Sequence, residues 1–526
     1  MRLPCRRWLP VLAFVASTSC EAGPSAFDRP ARVQGPEDTA DAATLPLLPD
    51  APDVETAGVA TSPAPEKGAR ALVPEVRADT APETEAAPEA VDPAADTFPD
   101  GRLHFEHPEH VRGIYLNAWA AGSTRRVGEL LALARRTEIN TFVIDIKDAT
   151  GYVSHRSRVP LAREIGATGE IRIRDLPGLL HRLHDAGIYP IARIVIVKDP
   201  LLTAAHPELA VQDTAGGVFK DGKGIVWLNP YDTAMWAYPV ALAREVARMG
   251  FPEIQWDYIR FPDIPAAEKA RVVYPGAGDK PKAQAIHDFL AYSREELAPL
   301  GTKVTADVFG VTASVNRDVG IGQVWEFVIG AVDVALPMVY PSHYWDGSFG
   351  FETPNAHPYE IVRRALGDAL RRSAEVEGAG NTRPWLQDFS LGKPAYGAPE
   401  VRAQIQATYD AGIQEWILWN PGSHYTEEAL EPSAGFTSEP TMRVADRVVP
   451  VSQRTAVLDS VQAAEAAADS ARAAERRARA DSARAAERAD SAARAESADT
   501  TAGPGDGEPP VPDTVPGNPG GGPIRR

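Results

Sequence analysis

Short apolar segments alternate with helix-like segments between residues 105 and 435 of the chain. The apolar segments have the length and the β-branched and aromatic content of buried strands. The segments between them carry apolar residues at helical spacing, as residues 127–134 do, and several end at a glycine suited to a left-handed cap. The eight predicted strands cover residues 112–119, 141–148, 188–197, 253–262, 303–310, 333–341, 383–390 and 415–423.

This alternation predicts an α/β fold, namely a single (β/α)8 TIM barrel over residues 105–440. An open doubly wound sheet is the alternative, and it usually carries a glycine-rich phosphate turn after its first strand. The residues that follow Trp119 read Ala-Ala-Gly-Ser, which is not that motif. The barrel is therefore the favoured prediction.

The first twenty residues have the order of features of an export signal. A positively charged start is followed by the apolar run 8–16, and small residues then lead to Cys20. The position of Cys20 is similar to a lipoprotein processing site, although Ser17 stands where such sites usually carry leucine. Ordinary cleavage near Ser19 is the alternative. We expect an exported protein of the cell envelope, either secreted or held at the membrane by a lipid anchor on Cys20.

The segments between the signal and the barrel and after the barrel differ in composition from the barrel. Residues 21–104 form a predicted disordered, acidic, Pro/Ala-rich linker, because they contain too few apolar side chains for a core. Residues 441–500 are an Ala/Arg/Glu-rich predicted helical tail in which the motif at 469–476 recurs at 481–488. We interpret it as a solvated helix, with contact to an anionic envelope polymer as the alternative. Residues 501–526 are Gly/Pro-rich and predicted to be disordered.

Composition narrows the classes of function. The 526 residues carry a formal net charge of −18, which argues against a nucleic-acid-binding protein. Both cysteines lie in the first twenty residues, so the barrel has no disulfide and no cysteine metal site. P-loop and GxSxG motifs are absent from the sequence, and the pair His107 and His110 precedes the first strand. We expect no cofactor and no metal.

Acidic residues occur where two neighbouring predicted strands end. Asp257 lies on the fourth strand and Asp307 on the fifth, and chemistry in a TIM barrel collects at the carboxyl ends of the strands. Glycoside hydrolysis uses two carboxyl groups about 5 Å apart for retention or about 6.5–9.5 Å apart for inversion. Adjacent strands lie about 4.8 Å apart, so both separations are within reach. Asp257 and Asp307 are the predicted catalytic pair.

Other polar and aromatic residues at strand ends are candidate substrate-binding residues. Basic and acidic side chains near the pair would position substrate or tune the two acids, and aromatic faces suit stacking on sugar rings. A purely structural buried ion pair is the alternative for Asp145, Lys147 and Arg193. The predicted substrate-binding residues are Asp145, Lys147, Arg193, Arg260, Tyr340, Trp345, Gln387, Trp419 and Asn420.

The ordered motifs RGIYLNAW, FVIDIKDATG, QWDYIRFP, PMVYPSHY and ILWNPGSHYTEEAL resemble a bacterial family of glycoside hydrolase domains related to the α-amylase-type barrels. The resemblance covers roughly residues 110–435 and implies a TIM barrel that cleaves glycosidic bonds. It implies that Asp257 matches the nucleophile and Asp307 the acid/base, which is usually a glutamate. Gln255 occupies the place of an arginine in those barrels, and Arg260 is the candidate substitute.

We therefore expect a glycoside hydrolase that acts on an envelope or extracellular polysaccharide or oligosaccharide. A non-catalytic glycan-binding or envelope-scaffold lipoprotein on the same barrel is the main alternative. A metal-dependent hydrolase or deacetylase is a third possibility and would have to rely on His343 and His424.

Overall fold

The computed structural model describes residues 103–499. The chain divides into two units, the first ending at Arg454 and the second starting at Thr455. The predicted export signal with Cys20, the linker up to residue 102 and the tail 501–526 lie outside the described residues. In the part of the chain that is described, no helix is both long and apolar enough to cross a membrane.

Within residues 103–499, eight parallel strands form one closed barrel, as the sequence predicts. Each strand pairs with the next along the chain, the eighth pairs with the first, and Met338 opposite Trp385 closes the circle between the sixth and seventh. Closure confirms the TIM barrel and excludes the open sheet. The strands are β1 (Arg112–Leu116), β2 (Thr141–Lys147), β3 (Tyr189–Val195), β4 (Glu253–Asp257), β5 (Lys303–Phe309), β6 (Val334–Met338), β7 (Trp385–Gln387) and β8 (Trp416–Trp419).

Helices follow each of the first seven strands and cover the outside of the barrel. The first of them shows the reason: Val127, Leu130, Leu131 and Ala134 form one buried stripe, and the Ser123 hydroxyl caps its N-terminus. The helices that cover the barrel are α1 (Thr124–Arg136), α2 (Leu176–Asp185), α3 (Ala237–Met249), α4 (Lys282–Leu297), α5 (Trp325–Ile329), α6 (Pro358–Ser373) and α7 (Ala398–Asp410). Short helices also occur in the connections, at Ala118–Gly122, Pro160–Glu164, Pro200–Ala205 and Ala266–Lys269.

The amino-terminal end of the barrel is closed by a buried ion network. Arg383, just before β7, donates to Glu253 on β4 at 2.7 Å and to Glu415 before β8 at 2.8 Å. Arg383 and Glu253 are fully buried. Two carboxylates thus face one guanidinium, which fixes three strands at this end.

Insertions after β3 and β4 fold together over one side of the opposite, carboxyl-terminal end. Gln212–Asp213 from the first insertion pairs antiparallel with Val272–Val273 from the second. The first insertion also buries the indole of Trp227, which donates to Asp221 Oδ2 at 3.1 Å. These contacts bring an aromatic side chain from the insertion close to the strand ends.

The segment after β8 departs from the predicted helical tail. Thr441–Val444 and Arg447–Pro450 form an antiparallel hairpin, because Met442 and Val444 alternate with polar residues and become buried. The helix α8 (Arg454–Asp499) begins only after this hairpin. Pairs such as Asp469 with Arg472 at 2.6 Å lie along its exposed surface and add little stability.

Candidate active site

Four charged side chains meet inside the barrel at the carboxyl-terminal end of β2 to β5. The guanidinium of Arg193 lies in the centre and donates from Nη1 to Asp145 Oδ1. It also donates to Asp257 Oδ2, from Nη2 and from Nε, the latter at 3.0 Å. Asp307 Oδ2 lies 4.0 Å from the same Nε. One cation therefore serves three carboxyl groups, and we call these four residues the acid cluster.

Strand register explains why these residues meet. Asp145 lies opposite Arg193 between β2 and β3, and Arg193 lies opposite Gln255 between β3 and β4. Asp257 is two residues beyond Gln255, so strand alternation places it on the same inward face one layer higher. Asp307 follows Thr305, the partner of Gln255, by the same interval. The carboxyl groups of Asp257 and Asp307 therefore occupy one layer of the barrel.

The strand that carries Asp257 ends directly after it. Tyr258 has a φ of 52°, in the left-handed region, which stops β4 at Asp257 although the sequence predicts a strand to residue 262. The Tyr258 amide donates to Asp257 Oδ1 at 2.5 Å. Asp257 thus accepts hydrogen bonds on both oxygens, one from the backbone and the other from Arg193.

Asp307 accepts its hydrogen bonds from neutral donors. Its Oδ1 accepts from the side-chain amide of Gln255 at 2.8 Å and from the indole of Trp385 at 2.7 Å. Burial, and then the negative charge of Asp257, raise the pKa of Asp307 well above its usual value. Of the predicted pair, Asp307 is therefore the carboxyl group whose surroundings favour the protonated form.

Asp145 is the third carboxyl group. Burial raises its pKa to about 6, against the opposing effect of Arg193. The hydroxyl of Tyr115 donates to its Oδ2. Because Asp145 and Asp257 share the guanidinium, Asp145 influences the orientation of Arg193 without lying on the same strand as either acid of the predicted pair.

The distances of both acids from Arg193 set an upper limit on the separation of the Asp257 and Asp307 carboxyl groups. Both Oδ2 atoms lie within 4.0 Å of Arg193 Nε. They are therefore no more than about 7 Å apart, a limit that admits the spacing of retaining glycosidases and the lower end of the inverting range. Asp257 and Asp307 face one compartment, as a two-carboxylate mechanism requires.

Aromatic side chains line the same end of the barrel. Trp419 stacks on Tyr115 with a centroid distance of 4.0 Å, and Arg193 lies 5.2 Å from the Trp419 ring. Tyr340 is also buried beside the cluster, and burial, followed by the nearby Asp307 and Asp257, raises the pKa of its hydroxyl. Trp345 lies in a loop and is 45% exposed. Of the predicted aromatic residues, Trp345 is the one with a free face.

Several predicted binding residues lie outside the acid cluster. A register shift after Asp145 turns Lys147 out of the expected alternation, and its ammonium pairs with Asp199 at 2.9 Å. Gln387 donates to the carbonyl of Phe389 at 2.9 Å. Asn420 donates to the carbonyl of Asp388 at 2.6 Å. These contacts hold loops at the strand ends.

The arginine predicted to support Asp257 is also placed elsewhere. Arg260 forms no ion pair among residues 103–499 and lies 4.6 Å from the Phe309 ring. The strand β4 ends at Asp257, before the left-handed Tyr258, so Arg260 lies in the segment after the strand. Arg193, from the neighbouring strand, supplies the cation that contacts Asp257.

The predicted site residues do not include every residue that contacts the acids or lies beside them. Trp385 and Tyr115 donate to the acids from strands that are distant along the chain, so only barrel closure brings them near. Asp388 at the end of β7 is buried, and burial raises its pKa to about 6. Its position directly after predicted strand residue Gln387 is a signal that could have marked it.

A metal-dependent hydrolase would have to rely on His343 and His424. The described part of the chain contains no group of three or more His, Cys, Asp or Glu side chains arranged to hold a metal ion. His343 and His424 belong to no such group, and His343 lies with Nδ1 3.0 Å from the hydroxyl of Ser342.

The chain is similar to several solved structures. No curated protein sequence matches the chain. Among solved structures, a hypothetical protein from Ruminiclostridium thermocellum is 42% identical over 37% of this chain and 97% of its own, with a TM-score of 0.34. The glycoside hydrolase domain of PgaB (BpsB) from Bordetella bronchiseptica is 14% identical over 60% of this chain and 95% of its own, with a TM-score of 0.45. That of PelA from Pseudomonas aeruginosa is 14% identical over 60% and 97%, with a TM-score of 0.34.

The family comparison covers the barrel itself. The family described as "Putative glycosyl hydrolase domain" matches residues 113–425, which is more than half of the chain. The matched range starts in β1 and ends beyond β8, so it contains every strand of the barrel. The resemblance inferred from the sequence motifs is confirmed, and the chain belongs to this family of glycosyl hydrolase domains.

Proposed function

We propose that the protein hydrolyses glycosidic bonds of an extracellular or cell-envelope polysaccharide with Asp257 and Asp307 as its two catalytic carboxyl groups. The family supplies the class of reaction. The observation that carries the assignment is the unequal surroundings of the two acids. Asp257 is ion-paired with Arg193, whereas burial and Asp257 favour the protonated form of Asp307.

The unequal surroundings assign different catalytic roles to Asp257 and Asp307. Asp307, whose raised pKa favours the protonated form, donates its proton to the oxygen of the leaving sugar as the general acid. Asp257 attacks the anomeric carbon as nucleophile in a retaining reaction, or activates water as base in an inverting one. Arg193 holds the Asp257 carboxylate in place, and Asp145 holds Arg193.

The access of substrate to the acids is restricted. Asp257 is 4% exposed and Asp307 is 2% exposed. Hydrolysis therefore requires substrate to displace loops or aromatic side chains at the carboxyl-terminal end of the barrel. The same burial favours the alternative, a glycan-binding barrel without catalysis, so a test must separate binding from cleavage.

The test substitutes each acid separately and measures release of reducing ends from a panel of polysaccharides. For Asp257→Asn and for Asp307→Asn we expect kcat to fall by about 10²–10⁴-fold, because each removes an acid–base or nucleophilic group. Asp410→Asn is the control, since this aspartate forms its ion pair with Arg454 outside the barrel. If both site variants cleave at the wild-type rate, the assignment is wrong. If the wild type binds a glycan and releases no reducing ends, the barrel is a binding module.

We also propose export and a lipid anchor on Cys20, which the sequence pattern supports. Expressed in a bacterial host, the wild-type chain should enter the membrane fraction and incorporate labelled palmitate. Cys20→Ala should abolish the label and release the protein. Equal labelling of both forms would exclude Cys20 as the anchor.

A further inference from the structure

Two basic side chains lie beside the acid cluster and face the same aromatic rings. Lys198 follows β3, and its ammonium lies 4.4 Å from the Tyr258 ring and 4.9 Å from the Trp227 ring. Arg260 follows β4, and its guanidinium lies 5.0 Å from Tyr258 and 5.3 Å from Trp227. Phe309, at the end of β5, covers Arg260 at 4.6 Å. We call Lys198 and Arg260 with these three rings the cationic cluster.

Arg260 differs from the other buried basic residues. Among residues 103–499 it is the buried base that has no acidic partner, it is 6% exposed, and its Nη1 makes no hydrogen bond. A buried charge without a partner is costly, and proteins normally pair such a group. The buried bases that are paired with carboxylates are Lys147, Arg172, Arg193, Arg372, Arg383 and Arg402.

Lys198 has the same shortage of counter-charge. Its pKa is lowered to about 8, first by burial and then by the positive charge of Arg260. Asp221, Asp257 and Asp263 are near enough to attract it, yet none forms an ion pair with it. Asp257 is held by Arg193, and Asp221 accepts from the Trp227 indole. The aromatic rings stabilise both cations only in part.

The cationic cluster is next to the candidate catalytic acids. Tyr258 is the residue after Asp257, and Phe309 lies two residues after Asp307. Lys198 lies three residues beyond Val195, the last residue of the strand that carries Arg193. A sugar whose glycosidic bond lies at the acids would therefore place a ring substituent within reach of these cations.

We propose that Lys198 and Arg260 bind an anionic substituent of the glycan, a carboxylate or a sulfate ester, and that the substrate is therefore an acidic polysaccharide. The guanidinium offers paired N–H donors that match the two oxygens of such a group, and the ammonium adds a second charge. The placement of that sugar beside the cleaved bond rests on the proposed hydrolysis. The binding of the anion does not.

Binding to chemically matched probes tests the proposal. The full chain is titrated calorimetrically with oligogalacturonate and with its methyl ester, which has the same backbone without the charge. A second arm uses carrageenan oligosaccharides and their desulfated forms, which separates sulfate from carboxylate. We expect at least one acidic probe to bind about tenfold or more tightly than its neutral form. Equal affinity within both pairs, or no binding of any acidic probe, would overturn the proposal.

Variants locate the binding in the cationic cluster. Arg260→Gln and Lys198→Gln should each weaken the acidic probe about tenfold or more and leave the neutral probe unchanged, while Arg260→Lys should retain part of the affinity. Lys282→Gln is the control. Its ammonium also lies over two rings, 5.0 Å from Phe261, but it donates to the carbonyl of Gly320 at 2.9 Å.

Thermal unfolding distinguishes a ligand-binding arginine from a structural one. Because Arg260 has no acidic partner to lose, Arg260→Gln should leave Tm unchanged or raise it. A lower Tm together with unchanged probe affinity would show a structural role and exclude the proposal.

Hydrolysis is scored separately from binding. Probe binding that is lost in Arg260→Gln, in a wild type that cleaves nothing, supports the anion site and contradicts the proposed hydrolase. Cleavage of neutral glycans as fast as acidic ones would support the proposed hydrolase and contradict the anion site.

Discussion

The two ends of strand β4 carry acids that have opposite surroundings. Glu253, at the amino-terminal end, shares Arg383 with Glu415, and both carboxylates lie within 2.8 Å of that guanidinium. Asp257, at the other end, shares Arg193 with Asp145 and Asp307. Of these, Asp307 has its Oδ2 4.0 Å from Arg193 Nε.

The difference is one of charge balance. At the amino-terminal end the pKa of Glu415 is lowered, chiefly by its interaction with Arg383 against the effect of burial, so its negative charge stabilises the fold. At the carboxyl-terminal end the pKa values of Asp145 and Asp307 are raised. Ion pairs at the first end fix the strands, whereas the raised pKa values at the second end suit the proton transfers that we propose for it.

The largest expected effect is on the free energy of unfolding, when the arginine at the amino-terminal end is replaced. Arg383→Met leaves Glu253 and Glu415 buried without a cation, so we expect a loss of about 3–5 kcal/mol in the free energy of unfolding. Urea unfolding followed by circular dichroism measures it. The kcat of the fraction that remains folded should be unchanged, and a large fall in that kcat would contradict the structural role.

Substitution of Arg193, the arginine at the carboxyl-terminal end, should lower activity strongly and stability less. Arg193→Met removes the cation that holds Asp257, and we expect kcat to fall about 10²–10³-fold. Its loss of stability should be smaller than that of Arg383→Met, because the raised pKa values of Asp145 and Asp307 let these carboxylates take up a proton more readily once the cation is gone. Parallel urea unfolding and reducing-end assays give both values. An equal or greater loss of stability in Arg193→Met would contradict the difference between the two ends.

The pH dependence of stability gives a third test. Asp145 titrates at about 6 in the folded protein, above its usual value of 3.8. The folded state therefore binds more protons than the unfolded state between these values, and stability falls as pH rises through this window. Its size is at most about 3 kcal/mol. Asp145→Asn should lack this component, which urea unfolding at pH 4 to 7 would show, and identical slopes for both proteins would contradict it.

The smallest expected effect concerns Lys198. Its pKa of about 8 reflects burial and Arg260, with Asp221, Asp257 and Asp263 acting in the other direction. Because an anion binds the protonated ammonium, affinity for the acidic probe should fall up to about tenfold between pH 7 and 9. Lys198→Arg should flatten the profile, since arginine stays charged. A flat wild-type profile would exclude Lys198 from the anion site.

The barrel and its candidate acids could be predicted from the sequence because both depend on local pattern. Eight apolar strands alternating with helices specify the architecture, and the ends of β4 and β5 place Asp257 and Asp307 at its reactive end. The sequence does not single out the basic residue that pairs with Asp257, because Lys147, Arg193 and Arg260 all lie at strand ends. The structure places Arg193 there, since β3 pairs with both β2 and β4.

Two backbone irregularities decided the positions of the other basic residues. The register shift after Asp145 directs Lys147 to Asp199, and the left-handed Tyr258 ends β4 before Arg260. Neither departure follows from alternation of apolar and polar residues, because each depends on the contacts of the folded chain.

The sequence by itself determined the class of fold, the strands that carry the acids and the family, because hydrophobic periodicity and ordered motifs are local properties. Only the tertiary structure decided which side chains surround each acid and each cation. Barrel closure brings Trp385 to Asp307 from 78 positions away, and the insertion brings Trp227 to Arg260. The state of an acid depends on burial and on neighbours from other strands, and these neighbours are fixed only when the chain closes.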